Sequence, residues 1–182
     1  LDSSVVAAAE ACFVIGFGIK MALFPLHGWQ PDSYTYAHPA AAPFIACVMS
    51  KIPAYAIIRF LFYLFGTDNY VVASALNLIG VLGAAGILLG SVMALAPYDM
   101  RRLLAYSSVS QIGYLAVGLA LGHVYGFIGA VLPIIIHAFL QSSLVLVAGG
   151  FLYRFGVTHI HRPVVLAPAL DVSRLSLFFA PF

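Results

Sequence analysis

The sequence predicts an all-α integral membrane protein with about five transmembrane helices, and three observations support this prediction. Of its 182 residues, 63% are hydrophobic and 8% are charged, and the mean hydropathy is +1.06. Several windows of about 20 residues carry few or no charges, and each is long enough to cross a hydrocarbon core of roughly 30 Å as a helix. The apolar runs are continuous instead of alternating, which favours helices over a β-barrel.

The spans are separated by segments rich in proline, glycine and charged residues, which are typical of turns. A polar stretch, HGWQPDSYTYAHP, occupies residues 27–39, and the first span is expected to end just before it, around Pro25. Pro53 and Pro133 lie inside spans, where each removes a backbone hydrogen bond, so we expect at least one proline-broken helix. The predicted spans cover about 4–26, 42–65, 70–95, 103–122 and 126–153.

The whole chain, residues 1–182, is predicted to be one transmembrane domain in which 154–182 form an inside tail. Basic residues collect in cytoplasmic or matrix-side loops. The 27–41 loop, the 96–102 loop and the tail share one face, which we place inside because it holds most arginines. Because the first span begins almost at residue 1, we expect the chain to be a piece of a larger subunit with further helices on both sides. The arginines assigned to this face are Arg101, Arg102, Arg154, Arg162 and Arg174.

Composition and motifs exclude several classes of function. The net charge is +2 and the eight basic residues form no run, so a nucleic-acid partner is not expected. Cys12 and Cys47 are 35 positions apart, without a CxxC spacing, and we interpret them as small core residues and not metal ligands. The sequence has no P-loop or dinucleotide fingerprint, so we expect no cofactor and no redox chemistry in this chain; whether it is part of an enzyme stays open.

Ionisable residues inside the spans are the strongest indication of function. Such a group costs roughly 2.5–3.5 kcal/mol at the centre of a bilayer, so it normally faces a protein interior or water. Lys51 lies about nine residues into its span, which places it near the midplane at ~1.5 Å of rise per residue. For Arg59, reaching toward the interface is an equally good explanation. The group comprises Glu10, Lys20, Lys51, Arg59, His137 and the neutral Gln141.

Lys51 and His137 have the chemistry of a proton relay. Burial favours the neutral form of a lysine and a nearby carboxylate favours its charged form, so a buried lysine can load and release a proton. Histidine titrates near neutral pH without help. A single histidine inside a membrane is more often a packing residue, but the company of two lysines favours a relay here.

Four segments resemble the antiporter-like subunits shared by respiratory complex I, Mrp-type cation/proton antiporters and membrane-bound hydrogenases. They are KMALFPLHGWQPDSY at 20–34, SKIPAYAIIR at 50–59, DMRRLLAYSSVSQIGY at 99–114 and IIIHAFLQSSLVLVAGG at 134–150. The amino-acid sequences of these segments are most similar to the Mrp D-type branch of the family. The resemblance implies a subunit of about 14 helices, other membrane subunits as partners, no cofactor, and location in a bacterial or archaeal plasma membrane or an organellar inner membrane.

The resemblance also implies roles for individual residues. Lys20 would pair with a glutamate supplied from outside this chain, Lys51 would be the central lysine of a half-channel, and His137 would lie on the connecting polar axis. Gln141 stands where many members carry lysine, and its amide can form hydrogen bonds but cannot carry a proton charge. Possible relay or gating residues are Gln141, His27, Asp32 and Gln111, and the expected structural residues are Pro25, Pro53, Asp99, Arg101 and Arg102.

Two functions from different classes stay open at this point. The first is a proton-translocating subunit, with or without exchange for Na⁺, and it requires a hydrated path at Lys51. The second is a non-conducting scaffold in the same kind of complex, and it predicts dry packing around Lys51.

The relay hypothesis also makes a geometric prediction about the two lysines. At ~1.5 Å per residue, Lys20 and Lys51 lie at similar depth on consecutive antiparallel spans. We therefore expect both to face one polar cavity between helices. For His27 and Asp32, a helix cap or loop hydrogen bonds are favoured over proton delivery. Trp29, Tyr34 and Tyr36 fit an interfacial aromatic belt.

Overall fold

The computed structural model describes residues 3–65 and 70–156, and nearly all of them are helical. The α-helices are α1 (Ser3–Met21), α2 (Trp29–Tyr36), α3 (Ala42–Phe44), α4 (Lys51–Arg59), α5 (Tyr70–Leu95), α6 (Met100–Ala120) and α7 (Val124–Phe155), with π-helices at Ile45–Met49 and Phe60–Phe65. Five helical segments are long and apolar enough to cross a membrane, which confirms the predicted number of spans. The predicted tail, 154–182, lies almost entirely outside the described residues, together with Arg162 and Arg174.

The first span ends at Met21, five residues before the predicted end at 26. Ala22 adopts a left-handed backbone conformation with φ of 63°. Its amide donates to the carbonyl of Ile19 and the amide of Leu23 donates to that of Gly18, at 3.1 and 2.9 Å. These two bonds form a Schellman motif, which satisfies the last carbonyls of a helix. The helix is therefore closed before Pro25 is reached, and Pro25 is not what ends it.

The stretch between the first two spans was predicted to be a loop, but its centre forms the helix α2. The indole nitrogen of Trp29 donates to the carbonyl of Ile19 at 2.7 Å. At the other end, Nη1 of Arg101 donates to the carbonyls of Thr35 and Ala37, both at 3.0 Å. A cation at a helix C-terminus also interacts favourably with the helix dipole. The segment is thus fixed to α1 and to α6.

The second span is segmented. It passes from α3 through the first π-helix to a turn at Ser50, then through α4 into the second π-helix. Pro53, which is buried, has no amide hydrogen to donate to the preceding turn, so the break just before α4 matches the predicted proline-broken helix. Pro133 differs, because α7 continues through it from Val124 to Phe155.

The third and fourth spans pack backbone against backbone. A Cβ added at Gly83 would lie 2.6 Å from the Cβ of Ala116, and one added at Gly113 would lie 2.6 Å from the carbonyl oxygen of Gly83. Small residues in these positions allow close approach, as predicted for the glycines at 80, 83, 86 and 90. We call this contact between α5 and α6 the glycine seam.

Two sequence predictions about α6 and the cysteines have different outcomes. Asp99 caps α6 as predicted, since its carboxylate accepts from the amides of Arg101 and Arg102. Arg101 and Arg102 anchor the helix start. Arg101 is a buried side chain that donates to the α2 segment, and Arg102 forms an ion pair with Asp32 at 3.0 Å. Cys12 is exposed and Cys47 is half-buried, so the interpretation of Cys12 as a core residue is wrong for this chain.

Candidate functional site: a buried lysine at a helix break

Lys51 occupies the first position of α4, directly after the break in the second span. Its side chain is buried, with 8% exposed. The ammonium nitrogen donates to the carbonyl of Ala46, five residues back, at 2.6 Å. That carbonyl belongs to the π-helix, a rare conformation that is frequent at functional sites. The break in the helix therefore supplies an acceptor for the ammonium group, and no described carboxylate forms an ion pair with it.

Lys51 shares a cavity with two of the other predicted site residues. Gln111 of α6 and His137 of α7 line the same cavity, and both side chains are half-buried. The remaining wall is mostly apolar and is formed by Ile112, Leu115, Ala130, Pro133 and Ile134. Three helices thus bring an ammonium group, an amide and an imidazole together inside an otherwise hydrophobic bundle.

Gln141 lies one turn beyond His137 on α7 and outside the lining of this cavity. It is buried, with 2% exposed, and its Nε2 donates to the carbonyl of Leu104 at 2.7 Å. The same carbonyl accepts from the hydroxyl of Ser108 at 3.3 Å. Gln141 therefore joins α7 to α6 through a buried hydrogen bond from its amide nitrogen to backbone.

Lys20 does not share this cavity. Its side chain is exposed in α1, and it is absent from the residues around Lys51. The expectation that the two lysines face one cavity is therefore wrong for the described part of the chain, because Lys20 and Lys51 point to different surroundings. Glu10, also on α1, is 1% exposed, and neither of its carboxylate oxygens has a hydrogen-bond partner.

His27 and Asp32 have structural surroundings, but neither caps a helix. Gly28 is the N-cap of α2, without a side-chain hydrogen bond. The ring of His27 stacks on Phe24 with centroids 5.4 Å apart, and its Nδ1 is buried without a partner. Burial lowers the pKa of His27, and a backbone hydrogen bond at Pro25 opposes this only in part. Asp32 is exposed and pairs with Arg102, so the predicted loop hydrogen bond holds for Asp32 and the predicted cap does not.

Sequence reasoning missed a second group of buried polar side chains. Tyr34 was predicted for the aromatic belt, but it is 1% exposed, whereas Tyr36 is 82% exposed as such a belt requires. Gln30, Ser50 and Ser108 are buried around it. The available signal was the serines inside apolar runs, because a buried hydroxyl needs partners.

Among residues 3–65 and 70–156, no group of three or more His, Cys, Asp or Glu side chains is placed to hold a metal ion.

Comparison with known families gives a match across nearly the whole chain. The family described as "NADH:quinone oxidoreductase/Mrp antiporter, TM" matches residues 1–180. NADH-quinone oxidoreductase subunit N of Desulforudis audaxviator is 43% identical over 173 residues, covering 95% of this chain and 34% of that protein. NADH-quinone oxidoreductase subunit M of Escherichia coli K12 is 33% identical over 169 residues, covering 92% of this chain and 33% of that protein. The chain thus spans about a third of the length of these relatives.

Solved structures agree with the sequence comparison. A chain of the Mrp complex from Dietzia sp. superimposes with a TM-score of 0.76 and 30% identity, covering 85% of this chain and 28% of that one. A chain of respiratory complex I from Thermus thermophilus gives a TM-score of 0.71 and 28% identity, covering 83% and 32%. A chain of the archaeal membrane-bound sulfane sulfur reductase gives a TM-score of 0.80 and 26% identity, covering 87% of this chain and 32% of that one.

Proposed function

Because the chain belongs to the NADH:quinone oxidoreductase/Mrp antiporter family of transmembrane subunits, we propose that it forms the middle of a proton-translocating path with Lys51 as the central carrier. The observation that carries this proposal is the buried ammonium group, bound to a π-helix carbonyl and facing a cavity with His137 and Gln111. The host would be a multisubunit membrane complex, as it is for the relatives.

Loading and release of a proton at Lys51 require a site where the neutral and charged forms of its side chain have similar free energies. The apolar wall of the cavity favours the neutral amine, and the Ala46 carbonyl favours the ammonium form by accepting its hydrogen bond. A positive charge on the neighbouring His137 would favour release of the proton from Lys51. Protonation of one group would therefore change the proton affinity of the other, which is what a relay requires.

The roles of Lys20 and of its glutamate partner belong to the same proposal. Lys20 is exposed on α1 and available to helices outside this chain, so a carboxylate from the rest of the subunit would reach it there. We do not extend this proposal to the exchange of protons for Na⁺.

Substitution of Lys51 by alanine tests the proposal. In the intact complex reconstituted in liposomes, Lys51→Ala removes the carrier and should abolish proton translocation, while assembly is retained because an apolar side chain inserts more easily than a lysine. Ile52→Ala, at a neighbouring side chain that is 61% exposed, is the control and should translocate normally. Normal translocation by an assembled Lys51→Ala complex would contradict the relay role.

The scaffold alternative rests on the neutral side chain of Gln141, whose amide nitrogen is bound to the Leu104 carbonyl. A lysine in its place can donate to the same Leu104 carbonyl, so Gln141→Lys should assemble and change the pH dependence of translocation if water reaches this part of the bundle. Gln141→Leu, which removes the donor without adding charge, is the matched control. Failure of Gln141→Lys to assemble while Gln141→Leu assembles would favour the scaffold.

A further inference from the structure

A cluster of four buried polar side chains adjoins the lysine cavity on the side of the α2 segment. Gln30 and Tyr34 come from α2, Ser50 from the turn before Lys51, and Ser108 from α6. Their exposed fractions are 0%, 1%, 0% and 1%. We call these four residues the tyrosine cluster. None of them lines the lysine cavity, so the cluster is a separate feature.

The Tyr34 hydroxyl is the centre of the cluster. Gln30 Nε2 donates to it at 3.2 Å. The side chains of Ser108 and Ser50 also face this hydroxyl, although the Ser50 oxygen completes no hydrogen bond. Gln30 Oε1 is likewise buried without a partner. A buried polar group without a partner is unfavourable because it has lost its hydrogen bonds to water. Water is the small molecule that would satisfy both atoms, since it donates and accepts.

The position of the cluster connects a protein surface with Lys51. Ser50 directly precedes Lys51 in the chain. Ser108 lies one turn before Gln111 on α6, and seven residues, or roughly 10 Å at ~1.5 Å per residue, beyond Arg101 at the helix start. On the outer side, α2 exposes Asp32, which pairs with Arg102, and we call the exposed face that carries this ion pair the arginine-bearing surface. The tyrosine cluster therefore lies between the arginine-bearing surface and the lysine cavity.

We propose that the hydroxyls of Tyr34, Ser50 and Ser108 carry protons between the arginine-bearing surface and Lys51. The proposal rests on the proposed function and adds the entry or exit step to it. Each hydroxyl can accept one proton while donating its own, so a proton crosses the cluster with no net charge left on any member. The proton comes from water at the surface and ends on the Lys51 amine, or moves in the reverse direction.

The environment of Tyr34 suits this exchange by a neutral hydroxyl. Burial raises the pKa of Tyr34, and the polar side chains of Gln30, Ser108 and Ser50 lower it by a smaller amount. Cys47 also raises this pKa through its charge interaction with the phenol. Tyr34 therefore stays protonated at neutral pH and acts by exchanging protons, not by ionising.

Removal of the Tyr34 hydroxyl is the first test, in the intact complex reconstituted in liposomes. Tyr34→Phe keeps the buried ring, and translocation should fall about tenfold, less than for the loss of a positioned acid or base because water can substitute in part. The control is Tyr36→Phe, two residues along the same helix at an exposed side chain, which should be unchanged. Tyr34→His should restore part of the rate with a new pH dependence below the ordinary histidine pKa of about 6.5, because burial disfavours the charged imidazole.

Ser50→Ala is the sharper test, because the hydroxyl it removes makes no hydrogen bond within the protein. A purely structural cluster predicts that this change is neutral or stabilising, whereas the relay predicts slower translocation at normal assembly. This variant also decides the question if Tyr34→Phe fails to assemble.

A parallel measurement on Lys51→Ala separates the two proposals. Loss of translocation in Lys51→Ala with normal rates in Ser50→Ala and Tyr34→Phe would overturn this inference and leave the proposed function standing. Normal translocation in Lys51→Ala would overturn the proposed function and, with it, a path that ends on Lys51. Loss in all three variants, with normal rates in Tyr36→Phe, supports both.

Discussion

The glycine seam and the segmented second span solve the same problem of crossing a bilayer in opposite ways. In the seam, α5 and α6 are continuous helices, and their backbones approach so closely that a Cβ at Gly113 would lie 2.6 Å from the Gly83 carbonyl oxygen. In the second span, the helix is interrupted by two π-helices and a turn, and Lys51 uses a carbonyl at the break.

The comparison shows that close packing and buried polar groups are in different parts of this chain, the first in the glycine seam and the second around the break in the second span. Backbone groups inside a membrane need internal partners, so an interrupted helix is tolerated only where side chains or water replace the missing bonds. Lys51, the tyrosine cluster and the α2 segment all lie around the interruption. The seam holds α5 and α6 in close backbone contact, while the break provides a carbonyl acceptor and space for the proposed proton path.

The largest expected effect comes from filling the seam. Gly113→Ala places a methyl group against the backbone of Gly83 and Ile87, which cannot move as a side chain would, so the free energy of unfolding should fall by about 3 kcal/mol or more. The control is Gly129→Ala in α7, where nothing lies within 4 Å of the added Cβ. It should be neutral or stabilise by up to about 1 kcal/mol through helix propensity.

Thermal unfolding of the purified complex in detergent measures both glycine variants. Equal stability of Gly113→Ala and the wild type would show that the seam is looser than described. Destabilisation by Gly129→Ala of the same size would show that the effect is not specific to the seam.

A smaller effect is expected where the α2 segment is fixed to α6, and two adjacent arginines provide the comparison. Arg101→Gln leaves the part-buried carbonyls of Thr35 and Ala37 without their donor, at a cost of about 1–3 kcal/mol for the two bonds together. Arg102→Gln breaks an exposed ion pair whose side chains are 45% and 58% exposed, so it should cost less than about 1 kcal/mol. Limited proteolysis within residues 22–41 measures the release of α2, and equal cleavage in the two variants would contradict this assignment.

The smallest expected effect concerns pH and His27, at the edge of the α2 segment. Burial lowers the pKa of His27 in the folded state below its ordinary value of 6.5. The unfolded state therefore binds more protons, so the contribution of His27 to stability is complete above about pH 6.5 and is lost progressively as the pH falls below it. His27→Gln should flatten the decrease in melting temperature between pH 7 and 5. If the melting temperature of His27→Gln decreased with pH as steeply as that of the wild type, other groups would be responsible for the decrease.

The sequence predicted the number of spans well because hydropathy and length decide it. It also predicted the Asp99 cap, the close glycine packing and the break near Pro53, since each depends on local chemistry. It did not predict the end of α1 at Met21, because an alanine in a left-handed conformation carries no sequence signal comparable to that of glycine.

The tertiary arrangement of the polar residues was beyond sequence reasoning. Depth along a helix follows from counting residues, but the direction of a side chain depends on how helices rotate against each other. Lys20 and Lys51 therefore lie at comparable predicted depth and still face different surroundings. Tyr34 was assigned to the interface because its helix, α2, was not expected, and only the fixed α2 segment turns it inward.

Whether water reaches Lys51 is the most direct test of the contrast between the break and the seam. An experimental structure of the intact complex, at a resolution that shows ordered water, would measure it. We predict water within hydrogen-bond distance of the Lys51 ammonium group and of His137, further water at Gln30 Oε1 and Ser50 Oγ, and none between α5 and α6. Dry, apolar packing around Lys51 and the tyrosine cluster in such a structure would contradict the proton path and support the scaffold.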